Sequence, residues 1–385
     1  MTAKANVQRP TSNVQRRTPE AVRHLYVHIP FCARICPYCA FYKERADPTQ
    51  TERFCRAVLA ELRLRQSHFG IEPETIFFGG GTPTALSTPQ LEGLLRGFSA
   101  DLNFQKLKEW TIEANPGSVS LRKAAMLRDV GVTRVSLGVQ SWDDELLKLL
   151  GREHNAAQAE ESFQILRGTG IPSLNIDLMF GLPGQTLAQW EATLLKTINL
   201  QPDHISAYCL TYEEDTEFFL RRARGEYRSD IETDARFFET TMRLLERAGF
   251  QQYEISNYAR AGHESAHNRG YWSGDDYLGI GPSAFSTVAE KRWQNVCDYR
   301  TYSDRVLSGT SAVASNELLS VKTKRAEQIA LSLRTRWGVP DEWLRRWPTD
   351  VAEFTALGWL QAKADRFVLT EKGKLLADSV AAAFV

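Results

Sequence analysis

Short runs of β-branched and aromatic residues alternate along the chain with longer stretches whose apolar positions recur every three to four residues. The runs at 24–28, 75–78, 110–114, 134–139, 173–180 and 204–210 read as strands, and the stretches at 51–66 and 91–102 as helices. Pro30, Gly79-Gly80-Gly81, Asn115-Pro116-Gly117 and Gly181-Leu182-Pro183-Gly184 punctuate the strand ends. Repeated strand–loop–helix units imply parallel strands joined by right-handed crossovers. This α/β pattern predicts a complete or partial (β/α) barrel, with an open doubly wound sheet as the alternative. The barrel is favoured because the unusual residues all fall at strand carboxyl ends, which share one face of a barrel. They are a cysteine loop after the first strand, the triple glycine, Glu113, Gln140 and Asp177.

The pattern changes after about residue 256. Residues 257–317 are a junction rich in Gly, Tyr, Trp and Asn. Residues 318–385 read as a small winged-helix-like α+β domain, with helices at 324–335 and 350–356, a strand at 367–369, a turn at 370–373 and a last helix at 374–384. Residues 1–20 are polar, with Lys4, Arg9, Arg16 and Arg17 and no apolar stretch, and read as a disordered tail rather than a secretory signal. The expected organisation is therefore a tail over 1–20, a barrel over 21–256, the junction, and the small domain.

At about 100–200 residues per domain, 385 residues allow two or three domains. Equal counts of 47 Lys/Arg and 47 Asp/Glu leave no global field to recruit nucleic acid or an anionic membrane. The region from Val321 carries eleven Lys/Arg against eight Asp/Glu, too slight an excess for a DNA-binding domain. No run of about 20 apolar residues suggests a membrane span. Of the six cysteines, three crowd into one loop, which favours metal over a disulfide framework. Cys209 and Cys297 read as core cysteines.

That loop is Cys32-Ala-Arg-Ile-Cys36-Pro-Tyr-Cys39. Three thiolates at this spacing can hold three corners of a 4Fe–4S cluster and leave the fourth iron open to the amino and carboxylate groups of a methionine moiety. The competing reading is a zinc site completed by Cys55 or a histidine. Downstream, Glu113 and Asp177 sit inside apolar runs, where a carboxylate needs a partner. Ligand hydroxyls or a cationic amine would serve, as would a salt bridge to Arg134 or Arg152.

CxxxCxxC after a first strand resembles the radical S-adenosylmethionine (SAM) signature. With His28-Ile-Pro-Phe31, Phe77-Phe78-Gly79-Gly80-Gly81-Thr82, Ile112-Glu113-Ala-Asn115-Pro116, Ser136-Leu-Gly-Val-Gln140-Ser141 and Asn175-Ile-Asp177, the chain resembles the coproporphyrinogen-dehydrogenase-like branch of that superfamily from about residue 22 to its end. The resemblance implies a radical-SAM partial barrel with Cys32, Cys36 and Cys39 on the cluster. It also implies that Gly79, Gly80, Gly81 and Thr82 hold the amino end of SAM, and that Glu113, Gln140, Arg152 and Asp177 contact it. Tyr26, Tyr38, Thr211 and Phe285 fall at further matching positions, with barrel packing as the alternative for each.

Two departures separate the chain from the decarboxylating oxidases of the branch. Phe41 stands where they carry a further cysteine, and they have a longer segment before the loop. Both features, and the motif His267-Asn268-Arg-Gly-Tyr271-Trp272, resemble the haem-chaperone (HemW) family. By that resemblance His267 is a candidate axial haem ligand, and Tyr271 and Trp272 can stack on a flat macrocycle. The expected protein is a cytoplasmic haem chaperone, uncertain as an enzyme, that binds a 4Fe–4S cluster, SAM and haem. Its expected partners are haem and haem-receiving proteins such as respiratory enzymes, with peripheral membrane clients and a homodimer left open and no nucleic acid. Oxygen-independent decarboxylation of coproporphyrinogen III and radical methyl transfer are the enzymatic alternatives, and a zinc-stabilised binding module is a further one.

Overall fold

The computed structural model describes residues 21–45, 47–227 and 230–385; the tail expected over 1–20 lies outside the described residues. Six strands follow one another in space as in sequence: β1 (Val22–Ile29), β2 (Ile71–Gly80), β3 (Glu109–Ala114), β4 (Arg134–Gln140), β5 (Ser173–Phe180) and β6 (His204–Cys209). Every neighbouring pair is parallel, so all six carboxyl ends open on one mouth. The crossovers carry α1 (Pro48–Gln66), α2 (Thr88–Asp101), α3 (Leu121–Asp129), α4 (Asp144–Leu149), α5 (Ala156–Gly168) and α6 (Leu187–Asn199). Reciprocal capping pairs Ser87–Gln90, Asn155–Gln158 and Thr186–Gln189 start three of them, each satisfying two orphan backbone donors. Beyond them lie α7 (Glu217–Ala223) and α8 (Ile231–Arg247).

The period of two along each strand divides it into two faces. Leu25, Val27, Ile29, Ile76, Phe78, Ile112, Val135, Leu137, Ile176 and Ile205 pack into the core shared with the helices. At roughly 1.5–3 kcal/mol for each such side chain buried, this layer dominates stability. The alternate positions are polar or aromatic: Tyr26 and His28, Phe77, Glu113, Ser136, Asp177, Tyr208. The interior of the barrel is thus a chemical surface, and the core lies outside it.

The sheet does not close. Strands β7 (Gln251–Gln252) and β8 (Asn257–Ala259) continue it beyond β6, while β9 (Tyr277–Ile280), β10 (Phe285–Val288), β11 (Lys291–Asn295) and β12 (Val313–Leu318) extend it from β1. The twelve-stranded order among the described residues is β12-β11-β10-β9-β1-β2-β3-β4-β5-β6-β8-β7. The fold is the expected α/β partial barrel. Residues 257–318 supply five of its strands, with β9 parallel to β1 and Leu25 opposite Leu278.

Helix α9 (Ala266–Ser273) lies at the amino end of the barrel, away from the mouth. Glu109, the first residue of β3, anchors it by accepting from the Ser265 hydroxyl at 3.0 Å and from the amides of Ala266 and His267 at 2.8 and 3.1 Å. A carboxylate at a helix amino terminus satisfies free donors and opposes the helix dipole. Helix α10 (Tyr299–Leu307) packs on α1, and α11 (Val321–Leu333) packs on α9.

The chain ends in a second, smaller core of Ile329, Leu333, Val339, Leu344, Leu360, Val380 and Phe384. It is built from α11 and a three-stranded antiparallel sheet of Val339–Pro340, Arg366–Leu369 and Leu360–Lys363. The turn expected at 370–373 is a short helix, Glu371–Lys374, and the helix expected over 374–384 runs only from Ala377 to Ala382, with Ala377, Val380 and Phe384 in this core. No helix among the described residues is long and apolar enough to cross a membrane.

Candidate functional site

The cysteine loop leaves β1 at the mouth and is pinned at its base by a two-residue parallel pairing of Phe31–Cys32 with Glu44–Arg45. Cys32, Cys36 and Cys39 are free and partly exposed. Cys32 Sγ is 3.6 Å from the Thr82 hydroxyl, Arg152 Nη1 donates to Cys36 Sγ at 3.6 Å, and the Lys43 ammonium donates to the Cys39 carbonyl. Burial pushes the Cys32 thiol up to about 11, with the Thr82 contact opposing and the Cys39 and Cys36 sulfurs adding to it. Burial likewise raises Cys39. Among the described residues, no three His, Cys, Asp or Glu side chains converge as they would on a single ion. Cys55, which a zinc site would have recruited, is packed in the hydrophobic core.

The glycine run joins this loop to the lumen. Gly80 has φ +100°, and a Cβ there would lie 2.4 Å from the His28 imidazole; a Cβ on Gly79 would meet the Glu113 carboxyl at 2.9 Å. Gly80 N donates to Glu113 Oε2 at 3.1 Å. Enclosure pushes Glu113 up to about 8, with the neighbouring charge of Asp177 adding to it and the Gly80 amide opposing. Asp177 is raised too, first by burial, although it accepts from Ser136 at 3.0 Å and from Asn175 at 2.7 Å. The salt bridges open to them in the sequence do not form. Arg134 donates to Ser173 and to the His263 carbonyl, and Arg152 donates to Cys36, Asn115 and the Gly138 carbonyl. Two enclosed carboxylates with no ion pair among the described residues suit a positively charged ligand carrying hydroxyls.

The remaining expected residues fall into groups. Gln140, at the end of β4, has φ +70°, a conformation that costs a non-glycine residue about 1–3 kcal/mol and is kept where the surroundings demand it. Cys36, Thr82, Asn115, Lys123 and Arg152 line one cavity of about 470 Å³. Tyr26 hydrogen-bonds His28 Nδ1 at 3.0 Å and stacks on Phe77, and Tyr38 packs on Phe218 of α7. Thr211 is exposed just past β6, and Phe285 is exposed on β10.

Sequence reading missed Asn115 as a bridge, donating to Thr82 at 2.9 Å and accepting from Arg152 at 2.5 Å. Its signals were the strand stop Asn115-Pro116-Gly117 and its place in the motif Ile112-Glu113-Ala-Asn115-Pro116. It also missed Lys43 and Phe218, which support the cysteine loop through a carbonyl and a ring.

His267 lies elsewhere. It is 1% exposed, its ring is stacked on Phe77 at 5.1 Å, and Nδ1 meets the Thr75 hydroxyl at 2.7 Å. Burial lowers it to about 3, so the imidazole is neutral, and Nε2 has no partner among the described residues. Tyr271 meets it edge-on at 4.9 Å. Beside Tyr271 opens a second cavity of about 490 Å³, lined by Tyr208, Trp272, Tyr277, Arg292, Lys324 and other residues between the barrel's open side and α11. Arg292 and Lys324 are already paired there, with Glu327 and Asp276.

Comparison with known proteins agrees with this layout. The Radical SAM superfamily profile matches residues 26–196. The haem chaperone HemW of Bacillus subtilis is 33% identical over 94% of this chain and 99% of its own, and that of Escherichia coli 34% identical over 94% and 97%. The mitochondrial radical S-adenosyl methionine domain-containing protein 1 of Bos taurus is 33% identical over 92% of this chain and 82% of its own. The solved structure of coproporphyrinogen III oxidase (HemN) from Escherichia coli superposes with a TM-score of 0.82 at 24% identity, covering 94% of this chain and 90% of that one, and so shares the fold. With a third of its positions identical to these chaperones over nearly the whole of both chains, this chain belongs to the HemW family of the radical SAM superfamily.

Proposed function

We propose that this protein is a haem chaperone that binds a 4Fe–4S cluster, S-adenosylmethionine and haem and hands haem to haem-dependent proteins, respiratory enzymes among them. Cys32, Cys36 and Cys39 would hold the cluster: they are free, partly exposed thiols on one loop at the mouth of the barrel, with Cys32 beside Thr82 and Cys36 beside Arg152. When bound, the cluster supplies one-electron chemistry to a ligand on its open iron. The chain's own residues do the rest. Gly80 and Thr82 give close approach beside Cys32. Glu113 and Asp177 offer acceptors to a cationic, hydroxylated ligand, and the barrel wall excludes water from it.

The observation that carries the haem part is the cavity of about 490 Å³ whose lining includes Tyr208, Tyr271, Trp272 and Tyr277, with the Tyr271 and Tyr277 rings meeting edge-on at 4.6 Å. Flat aromatic walls and a volume in the range of cofactor sites suit a macrocycle. His267 is the candidate axial ligand by its place in the motif: Thr75 occupies Nδ1, and Nε2 has no partner among the described residues, but the ring is buried behind Tyr271 and must be uncovered to reach a macrocycle in the cavity.

The test is an anaerobic titration of cluster-loaded protein with haem, followed at the Soret band, alongside His267→Ala and Trp272→Leu. Saturation near one haem per chain is expected, with a changed ligand field in the first variant and weakened binding in the second. Non-saturating binding in all three proteins would sink the proposal and turn attention to porphyrinogen decarboxylation.

A further inference from the structure

We propose that Arg152 and Lys43 set the reduction potential of the iron–sulfur cluster, by holding two positive charges against its cysteine ligands. The inference rests on the assignment of the cluster to Cys32, Cys36 and Cys39.

Arg152 is fixed from behind. Its Nη2 is held by Asn115 Oδ1 at 2.5 Å and by the Gly138 carbonyl at 2.6 Å, which leaves Nη1 directed at Cys36 Sγ, 3.6 Å away. Asn115 in turn donates to the Thr82 hydroxyl at 2.9 Å, and that hydroxyl lies 3.6 Å from Cys32 Sγ. One network therefore touches two of the three ligands and ends in a guanidinium. The third ligand has its own cation, since Lys43 Nζ donates to the Cys39 carbonyl and, at 3.1 Å, to that of Phe41. Neither cation forms an ion pair with a carboxylate among the described residues, and at Cys39 the charge of Lys43 outweighs the opposing one of Glu113. Reduction adds one negative charge to the cluster, taken from an external low-potential donor. Adjacent positive charge and N–H···S bonds favour the reduced form and raise the potential. Because protein groups alone hold Arg152 in place, it acts on the cluster even when no S-adenosylmethionine is bound.

The experiment is EPR-monitored potentiometry of the full-length, anaerobically reconstituted protein without S-adenosylmethionine. The variants are Arg152→Gln, Arg152→Lys and Lys43→Gln, each checked for iron and sulfide content. At the potential where the wild-type cluster is half reduced, each glutamine variant should show a reduced-to-oxidised ratio about tenfold lower, a fall of about 59 mV for one electron. Arg152→Lys should recover most of that shift. Intact clusters with unchanged potentials in both glutamine variants would overturn the proposal, as would a lysine variant shifted as far as Arg152→Gln. If Arg152→Gln cannot hold a cluster, Lys43→Gln decides alone: a fall supports the inference and no change overturns it. A wild-type protein that takes up no iron and sulfide overturns the cluster assignment, and the inference with it.

Discussion

The enclosed carboxyl of Glu113 ties the stability of the ligand-free protein to pH. In the unfolded chain this residue gives up its proton near 4.5; in the fold it does so near 8. The folded-state value is raised, so the native protein keeps a proton that the unfolded chain has already lost. Stability is therefore fully present below 4.5, declines through the interval, and levels off above about 8. At 1.36 kcal/mol per pH unit, the full interval is worth about 5 kcal/mol, comparable with the whole stability of many domains. Glu113→Gln keeps the shape and the acceptor for the Gly80 amide and removes the titration. Urea unfolding of wild type and variant at pH 5, 6.5 and 8 gives the check. The two should be nearly equal at pH 5, with the variant more stable by several kcal/mol at pH 8. Parallel profiles across that range would refute the reasoning, because they would mean that water reaches the carboxylate freely. The same linkage predicts that a cationic ligand displaces the proton. Binding of S-adenosylmethionine to the cluster-loaded protein should release protons near pH 7 and tighten as pH rises toward 8 in the wild type but not in Glu113→Gln.

Gly80→Ala should cost about 3 kcal/mol or more, from positive φ and a Cβ driven into His28, read as a lowered midpoint of urea unfolding. Glu109→Ala strips the acceptor from three donors at the start of α9 and should cost about 2–4 kcal/mol; hydrogen exchange should show α9 opening first. Cys32→Ser, Cys36→Ser and Cys39→Ser should each lose most bound iron on reconstitution, while Cys55→Ser, in the core, should keep it. Zinc without iron in the wild type would contradict that reading.

Six strands and their order were legible in the sequence, because each is a short run rich in β-branched and aromatic residues, four of them stopped by glycine or proline, whose alternate positions fill the core beneath the helices. The cysteine loop was legible because cluster ligation is a matter of local spacing. The limits of the elements were less so. Strand β2 begins at Ile71 rather than 75, since pairing of Val22 with Ile71 carries it past Pro73, and the last helix starts only at Ala377, where it serves a core made of distant residues. The strands within 257–318 gave no clear periodic signal, because their pairing to β1 and to one another is settled by contacts far apart in sequence. The same holds for the site. Local chemistry marked Glu113 and Asp177, and the family resemblance Arg152, but only the tertiary structure sent Arg152 to Cys36 across 116 positions and left both carboxylates without an ion pair among the described residues. It also turned His267 inward, onto Phe77 and Thr75, and opened the aromatic cavity beside it. A sequence fixes which groups are present and the period at which they recur; which of them meet depends on how the sheet curls and where its open side is covered.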